Sequence, residues 1–476
     1  MFGLLKIWGV SLILSTSVEA MESEQPNLMT CEEFKVVYDF FQDQHIRFHV
    51  DENLKREELI EAAKANVPET LRDLGYHFLA ATFEVFESKR ISKETNPVAI
   101  CKTFETSIYR AAFLKSYARL LDPYTDFYLN EEFDVRSSVV DGDFVGVGIA
   151  TDRQPDHLLI TEVVEEGPAY GRLLVGDKIF KIDGHDIKGL NEGDVRSRIR
   201  GSLGTKVSFY VVRASSPLSV EVVRGRVHQK SVSYSMSEDR VLTVKVHRFY
   251  RQTPFEVEAA IDKAGSQLKG LILDLRNNPG GLLQAARDLV DLFISSGVVV
   301  YLKGKTFEDQ IWALNEGGKT QVPMVVLVNE GTASAAEIVA GALQDYGRAV
   351  IVGKRTYGKG SVQNIYETQP ALGINYRGGF KLTTLFYYLP SGRNVSLLEP
   401  DVISAETSQE LEQTPKMPYR GPEKIDVIRM NSRNEEMIQR AKARIQEIAQ
   451  PATVSSEELG REVLLKLLAN SADNIR

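Results

Sequence analysis

Ser334 and Lys359 are the residues of this chain whose types and surroundings best suit nucleophilic chemistry. Ser334 lies in Asn329-Glu330-Gly331-Thr332-Ala333-Ser334-Ala335-Ala336-Glu337, directly after an apolar run that reads as a buried strand and at the start of a helix. Small neighbours let a substrate backbone approach, and a helix N-terminus favours developing negative charge. Taken alone, the segment fits an ordinary helix-start serine equally well. Every histidine lies at or before His247, so beyond Arg248 a histidine base could only be recruited from the near edge, as His228 or His247. Lys359 is the alternative, in Thr356-Tyr357-Gly358-Lys359-Gly360-Ser361-Val362-Gln363, where flanking glycines permit close, dry packing. A free lysine titrates near about 10.4, and lowering that by roughly three units costs about 4 kcal/mol, which burial can supply. If the stretch after Gly360 is extended, Lys359, Ser361 and Gln363 share one face and the Gln363 amide can orient the amine. An oxyanion would need two backbone N–H donors, and those of Ala335 and of Gly280, in the turn Asp274 to Gly281, are the best candidates. This chemistry calls for no metal and no organic cofactor.

A rival use of the lysine is phosphate binding, because Gly353 to Lys359 has the glycine and lysine spacing of a phosphate loop. Gly360 then stands where a Ser or Thr must hold magnesium, and the residues after it look like a strand and not a helix. A nucleic-acid role is disfavoured too, since 57 basic against 65 acidic side chains leave a net charge of −8 and no surplus to neutralise phosphates.

At 476 residues, 43% hydrophobic and 26% charged, the chain should fold as several globular domains. Residues 1–20 read as an export leader: Lys6, an apolar run from Ile7 to Leu14, then Val18-Glu19-Ala20. That run is too short to span a bilayer, so the expectation is an extracytoplasmic, periplasmic protein with no stable membrane span after cleavage. Cys31 and Cys101, the only cysteines, could pair in an oxidising compartment; two buried thiols are the alternative. Residues 21–143 are expected to be a helical region, with apolar residues at three- and four-residue spacing and a break at Asp122-Pro123-Tyr124-Thr125-Asp126. Residues 144–228 carry short β-rich runs between glycine turns and a helix at Asp194 to Arg200. In 229–402 strands alternate with helices, which implies a largely parallel sheet. Residues 403–476 should form a polar linker and two helices, opened by the boxes Ser432/Glu435 and Ser455/Glu458.

Together the segments Asp274 to Gly281, Gly331 to Ile338 and Tyr357 to Gln363, with Leu382-Thr383-Thr384 and Tyr387 to Arg393, resemble the carboxy-terminal processing (tail-specific) peptidases, Ser-Lys serine peptidases of family S41. The resemblance implies Ser334 as nucleophile, Lys359 as general base, Gln363 as its positioner and Gly280 with Ala335 as oxyanion donors, on a crotonase-like α/β core. It extends over about Asp122 to Val402. The β-rich segment is similar to a PDZ domain, with Val145, Gly146, Val147 and Gly148 in its carboxylate-binding loop. Val195 and Ile199 then line a pocket for the last side chain, or are merely core. The fold class expected is therefore multidomain α+β and α/β: a helical N-terminal region, a PDZ-like β domain, a peptidase core and a helical C-terminal extension. Implied partners are protein substrates with flexible C-terminal tails, and a homo-oligomer or an adaptor protein is left open. The competing expectation is an extracytoplasmic chaperone or scaffold that uses the peptide-binding module alone.

Overall fold

Leu271 to Leu275 and Met324 to Val328 are apolar at every position, which suits strands covered on both faces. In the computed structural model they are neighbours at the centre of a six-stranded sheet. Its order is Val232–Met236, Val241–Val246, Gly270–Asp274, Met324–Val328, Val350–Gly353, Val402–Ile403, parallel throughout except for the antiparallel first pair. The structure describes residues 29–51, 53–84, 96–104, 106–129, 143–165, 167–188, 192–228, 230–305, 308–313, 318–368, 376, 378–404, 423 and 455–473. The leader and the Ser432/Glu435 box lie outside the described residues.

Side chains alternate across this sheet. Leu271, Leu273, Val326 and Ile351 face the helices Thr253–Ala264, Leu283–Asp291 and Ala335–Asp345, which contribute Val257, Leu289 and Val339 to the same core. The intervening Ile272, Val325, Leu327 and Val352 face the helix Ser456–Asp473 through Leu459, Val463 and Leu464. That helix opens with the expected box, Glu458 N–H donating to Ser455 Oγ at 3.2 Å and the Glu458 carboxylate accepting the Ser455 N–H at 3.3 Å.

Alternation of strands and helices pointed to one largely parallel sheet; the structure adds an antiparallel one. Its long strand Gly378–Tyr388 pairs with Asp126–Leu129, Gly297–Gly304 and Ser361–Glu367, and Glu308–Ala313 extends it beyond Gly297–Gly304. The break expected after Asp122 therefore contains an edge strand of the core. Helices Cys31–Gln44, Arg56–Asp73 and Ser107–Leu121 pack around Phe34, Phe41, Phe113 and Tyr117, and the same cluster includes Phe380 and Leu382 of the long strand. Lys115, fully buried, fastens the layer: its Nζ donates to Phe127 O at 2.7 Å and pairs with Asp126 Oδ1 at 3.2 Å. Cys31 and Cys101 are disulfide-bonded across this layer, their Cα atoms 5.7 Å apart.

The β-rich module has its own core around Ile160, Ile179, Phe209 and Val222. Its sheet runs Ile149–Arg153, Leu158–Val163, Lys178–Ile182, Lys206–Arg213, Ser216–Val223, with the helix Glu192–Ile199 between the third and fourth strands in the chain. Asp143–Gly146 pairs separately with Gly225–His228. Asp143–Gly146 and Ile149–Arg153 are separate strands because the chain turns at Gly148, whose φ is +77°.

Candidate active site

Three adjacent parallel strands, Gly270–Asp274, Met324–Val328 and Val350–Gly353, end on the same edge of the sheet, and the segment after each carries one of the chemical motifs. Ligands bind at such carboxyl ends because the loops converge there and the strands hold them rigidly. The first two turns are stitched together. Asn277 N–H donates to Asn329 Oδ1 at 2.8 Å, Asn329 Nδ2 donates back to Asn277 Oδ1 at 2.9 Å, Thr332 Oγ1 donates to Leu275 O at 2.8 Å and Ala333 N–H to Asn278 O at 2.9 Å. The third joins through Tyr357 N–H to Thr332 O at 3.0 Å. Only glycine fits at Gly280: a Cβ there would lie 2.7 Å from Ala333 O, 2.8 Å from Ser334 Cβ and 2.9 Å from Ala335 N. Its φ is +95°.

Ser334 is the N-cap of the helix Ala335–Asp345 and has φ 57°, ψ −120°. A non-glycine residue pays for such a backbone, on the order of 1–3 kcal/mol, and keeps it only where its surroundings over-determine it. What holds it is Glu337. This side chain, with no exposed surface, accepts four hydrogen bonds: Ser334 N–H at 2.7 Å and Lys359 N–H at 2.9 Å on Oε2, Thr356 Oγ1 and Gly358 N–H, both at 2.6 Å, on Oε1. The backbones of the serine and the lysine thus share one carboxylate oxygen, and their amide nitrogens can be no farther apart than those two bonds allow. Burial pushes the Glu337 pKa up to about 7 against the pull of these donors. Sequence reasoning passed over Glu337, although Ser334-Ala335-Ala336-Glu337 has the Ser-x-x-Glu spacing that marked the C-terminal helix.

Lys359 is half-buried, and its amine lies 4.5 Å from the centre of the Tyr124 ring. Desolvation pulls its pKa down, Lys381 adds to that, Glu337 and Asp122 oppose it, and the result is about 8. No hydrogen bond joins this amine to the Ser334 hydroxyl in the present arrangement; Glu337 is the link. Gln363 donates through Nε2 to Ser361 Oγ at 3.0 Å and Thr383 Oγ1 at 3.2 Å, so its amide faces the side of Ser361 as expected without bonding the amine. Residues Gly353 to Lys359 run into the strand Ser361–Glu367 and not into a helix, as a phosphate loop would require.

The two oxyanion candidates differ. Ala335 N–H is the first helical amide and spends its hydrogen on no described residue, whereas Gly280 N–H donates to Asn278 Oδ1 at 2.8 Å. Asn278 must release or share that hydrogen before Gly280 can serve an oxyanion. His247 bonds Ser233 Oγ at 3.0 Å, just past the antiparallel edge pair, and lies within electrostatic reach of Asp274 at the start of the first motif. In the β-rich module Val147 is core and its carbonyl accepts from Ala169, the Gly148 carbonyl accepts from Val164, and Val145 and Gly146 precede them at the end of Asp143–Gly146. Val195 belongs to that core and Ile199 packs at its margin. Among the described residues the strand Ile149–Arg153 has one partner strand, Leu158–Val163.

Comparison with known proteins agrees with this geometry. Residues 240–404 match the model of peptidase family S41, and residues 138–212 match that of the PDZ domain. A "Carboxy-terminal-processing protease" of Bartonella bacilliformis is 36% identical over 296 residues, 60% of this chain and 66% of the relative. A "Probable CtpA-like serine protease" of Staphylococcus aureus is 34% identical over 309 residues, 63% of this chain and 61% of the relative. The chain thus spans less than two thirds of the length of these curated relatives. A solved photosystem II D1 C-terminal processing protease aligns at 23% identity with a TM-score of 0.41, covering 74% of this chain and 93% of that one. Residues 240–404 are therefore a peptidase core of family S41, with a PDZ domain before it.

Proposed function

We propose that this chain is an exported serine endopeptidase that captures flexible C-terminal tails of proteins on its PDZ domain and hydrolyses peptide bonds within them. Ser334 attacks the carbonyl, Lys359 takes the hydroxyl proton and later delivers it to the leaving amine, Gln363 helps position the lysine, and Ala335 with Gly280 supplies the oxyanion donors. Water then releases the acyl-enzyme. The observation that carries this reading is the shared Glu337 oxygen, which ties the Ser334 and Lys359 backbones together beside a desolvated amine. A PDZ carboxylate loop binds a free C-terminus through backbone amides while the tail adds a strand to an edge of its sheet. The leader at 1–20 supports a periplasmic location, and no helix among the described residues is long and apolar enough to cross a membrane.

The test is Ser334→Ala, incubated beside the wild type with a folded protein bearing an unfolded apolar tail. Cleavage by the wild type alone is expected. Equal cleavage by both forms would end the peptidase assignment and favour the scaffold reading. Activity should also decline below about pH 8 as Lys359 takes up a proton, and a flat profile from about pH 5 to 9 would contradict its role.

A further inference from the structure

The helical layer reaches the active site through the turn that follows its last helix. The turn after helix Ser107–Leu121 lays the ring of Tyr124 under the Lys359 amine, 4.5 Å from the ring centre, and joins its hydroxyl to that of Tyr357 at 2.7 Å. Asp122 builds that turn: its Oδ1 accepts the amides of Tyr124 at 2.6 Å and Thr125 at 2.9 Å, and its Oδ2 accepts Thr125 Oγ1 at 2.9 Å. Behind it lies His45, with no exposed surface. Its Nδ1 accepts the Arg47 amide at 3.1 Å, so the ring hydrogen sits on Nε2 and points to Asp122 Oδ2 at 2.8 Å. Thr125 also contacts Thr383, the hydroxyl that holds Gln363. His45, Asp122, Thr125 and Thr383 are all buried, so the turn has little freedom to move.

We propose that Tyr124 is a positioning residue for the general base: its ring is the wall that keeps water from the Lys359 amine and the face that holds the amine in place once charged, with Asp122 and His45 fixing the turn that carries it. This rests on Lys359 being the base. A ring face stabilises an ammonium while the bulk of the ring excludes solvent, so the two contributions act on the proton in opposite directions and substitutions can separate them. The charged groups within electrostatic reach of the amine are Glu337 on the motif side, Lys381 on the long strand and Asp122 on the turn itself, while Tyr357 meets it only through the Tyr124 hydroxyl.

The experiment measures the pH at which Lys359 is half-modified by acetic anhydride in competitive labelling, quantified by mass spectrometry, alongside the acid limb of the peptidase profile. Tyr124→Phe should leave both near the wild-type position. Tyr124→Leu keeps the wall and loses the aromatic face, so both should move to lower pH by roughly half to one and a half units, the range a cation–π contact corresponds to. Tyr124→Ala opens the wall and should move both upward, towards an ordinary lysine. If leucine and alanine leave the midpoint where the wild type has it while lowering the rate, Tyr124 is structural only and the proposal fails. A wild-type Lys359 that labels like a surface lysine would instead refute the parent reading.

Discussion

Replacing Glu337 by glutamine separates positioning from stability. The carboxylate accepts four hydrogen bonds and an amide can accept only on its single oxygen. Of the four donors only the Thr356 hydroxyl can turn and accept, so the amide NH2 should face Thr356 and Gly358, leaving the oxygen on the Ser334 and Lys359 amides. One N–H, that of Gly358, is then stranded, at a cost of about 1–3 kcal/mol before any relief by water. Against this stands the burden of ionising a buried acid. Because the folded pKa is raised to about 7 from 4.5, wild-type Glu337 contributes stability that is present at low pH and lost as the pH rises through 7. The amide does not titrate. Between about pH 4.5 and 8 the stability gap should therefore shift towards the variant by about 3 kcal/mol. Guanidinium unfolding followed by far-UV circular dichroism reads this directly. The rate of acylation by a fluorophosphonate, measured at pH 8 on the same samples, should nevertheless fall about tenfold or more, because releasing Gly358 loosens the residue that carries the lysine. Adding Thr356→Val should be strongly non-additive, as Thr356 is the one group able to satisfy the new amide. A gap that does not change with pH, or an unaltered acylation rate, would refute the account of Glu337.

Three further outcomes are expected. Lys359→Met should be inactive yet more stable at pH 7 by up to about 3 kcal/mol, because a folded pKa of about 8 makes wild-type stability rise between about pH 8 and 10.5; unfolding midpoints that differ equally at pH 7 and pH 10.5 would contradict it. Gly280→Ala puts a Cβ against the backbone of Ala333 and Ala335 and against Ser334 Cβ, none of which can give way, so acylation should drop at least a hundredfold; wild-type acylation would show the turn to be softer than its contacts imply. Cys101→Ser opens a link across 70 positions and should destabilise the helical layer by up to roughly 4 kcal/mol, lowering the midpoint seen by far-UV circular dichroism, with no shift on adding reductant to the variant.

What the sequence disclosed and what it hid follow one physical division. Ser334, Lys359 and Gly280 stand on turns that follow strands, where small residues and glycines must sit locally if the backbone is to pack closely, so these turns were legible from neighbours alone. The buried parallel sheet was legible for a similar reason, in runs such as Met324 to Val328 that are apolar throughout. The antiparallel sheet was not, because Ser361–Glu367 is half exposed and Asp126–Leu129 has only four residues, each paired to a strand more than ten positions away. Glu337 was written in the sequence as a capping box, but its importance comes from Thr356, Gly358 and Lys359, which the helix start does not reveal. Tyr124 read as punctuation around Pro123; its hydroxyl meets Tyr357 across 233 positions, and no local pattern records that. His45 lies in the helical layer, 77 positions from its partner Asp122, and supports a turn, which no spacing in the sequence records. The helical layer is thereby more than a scaffold: its edge strand completes the antiparallel sheet, and the turn before that strand sets the solvent exposure of the lysine. A chain cut after that turn should lose the dry amine along with the strand, so the layer and the core stand or fall as one catalytic unit.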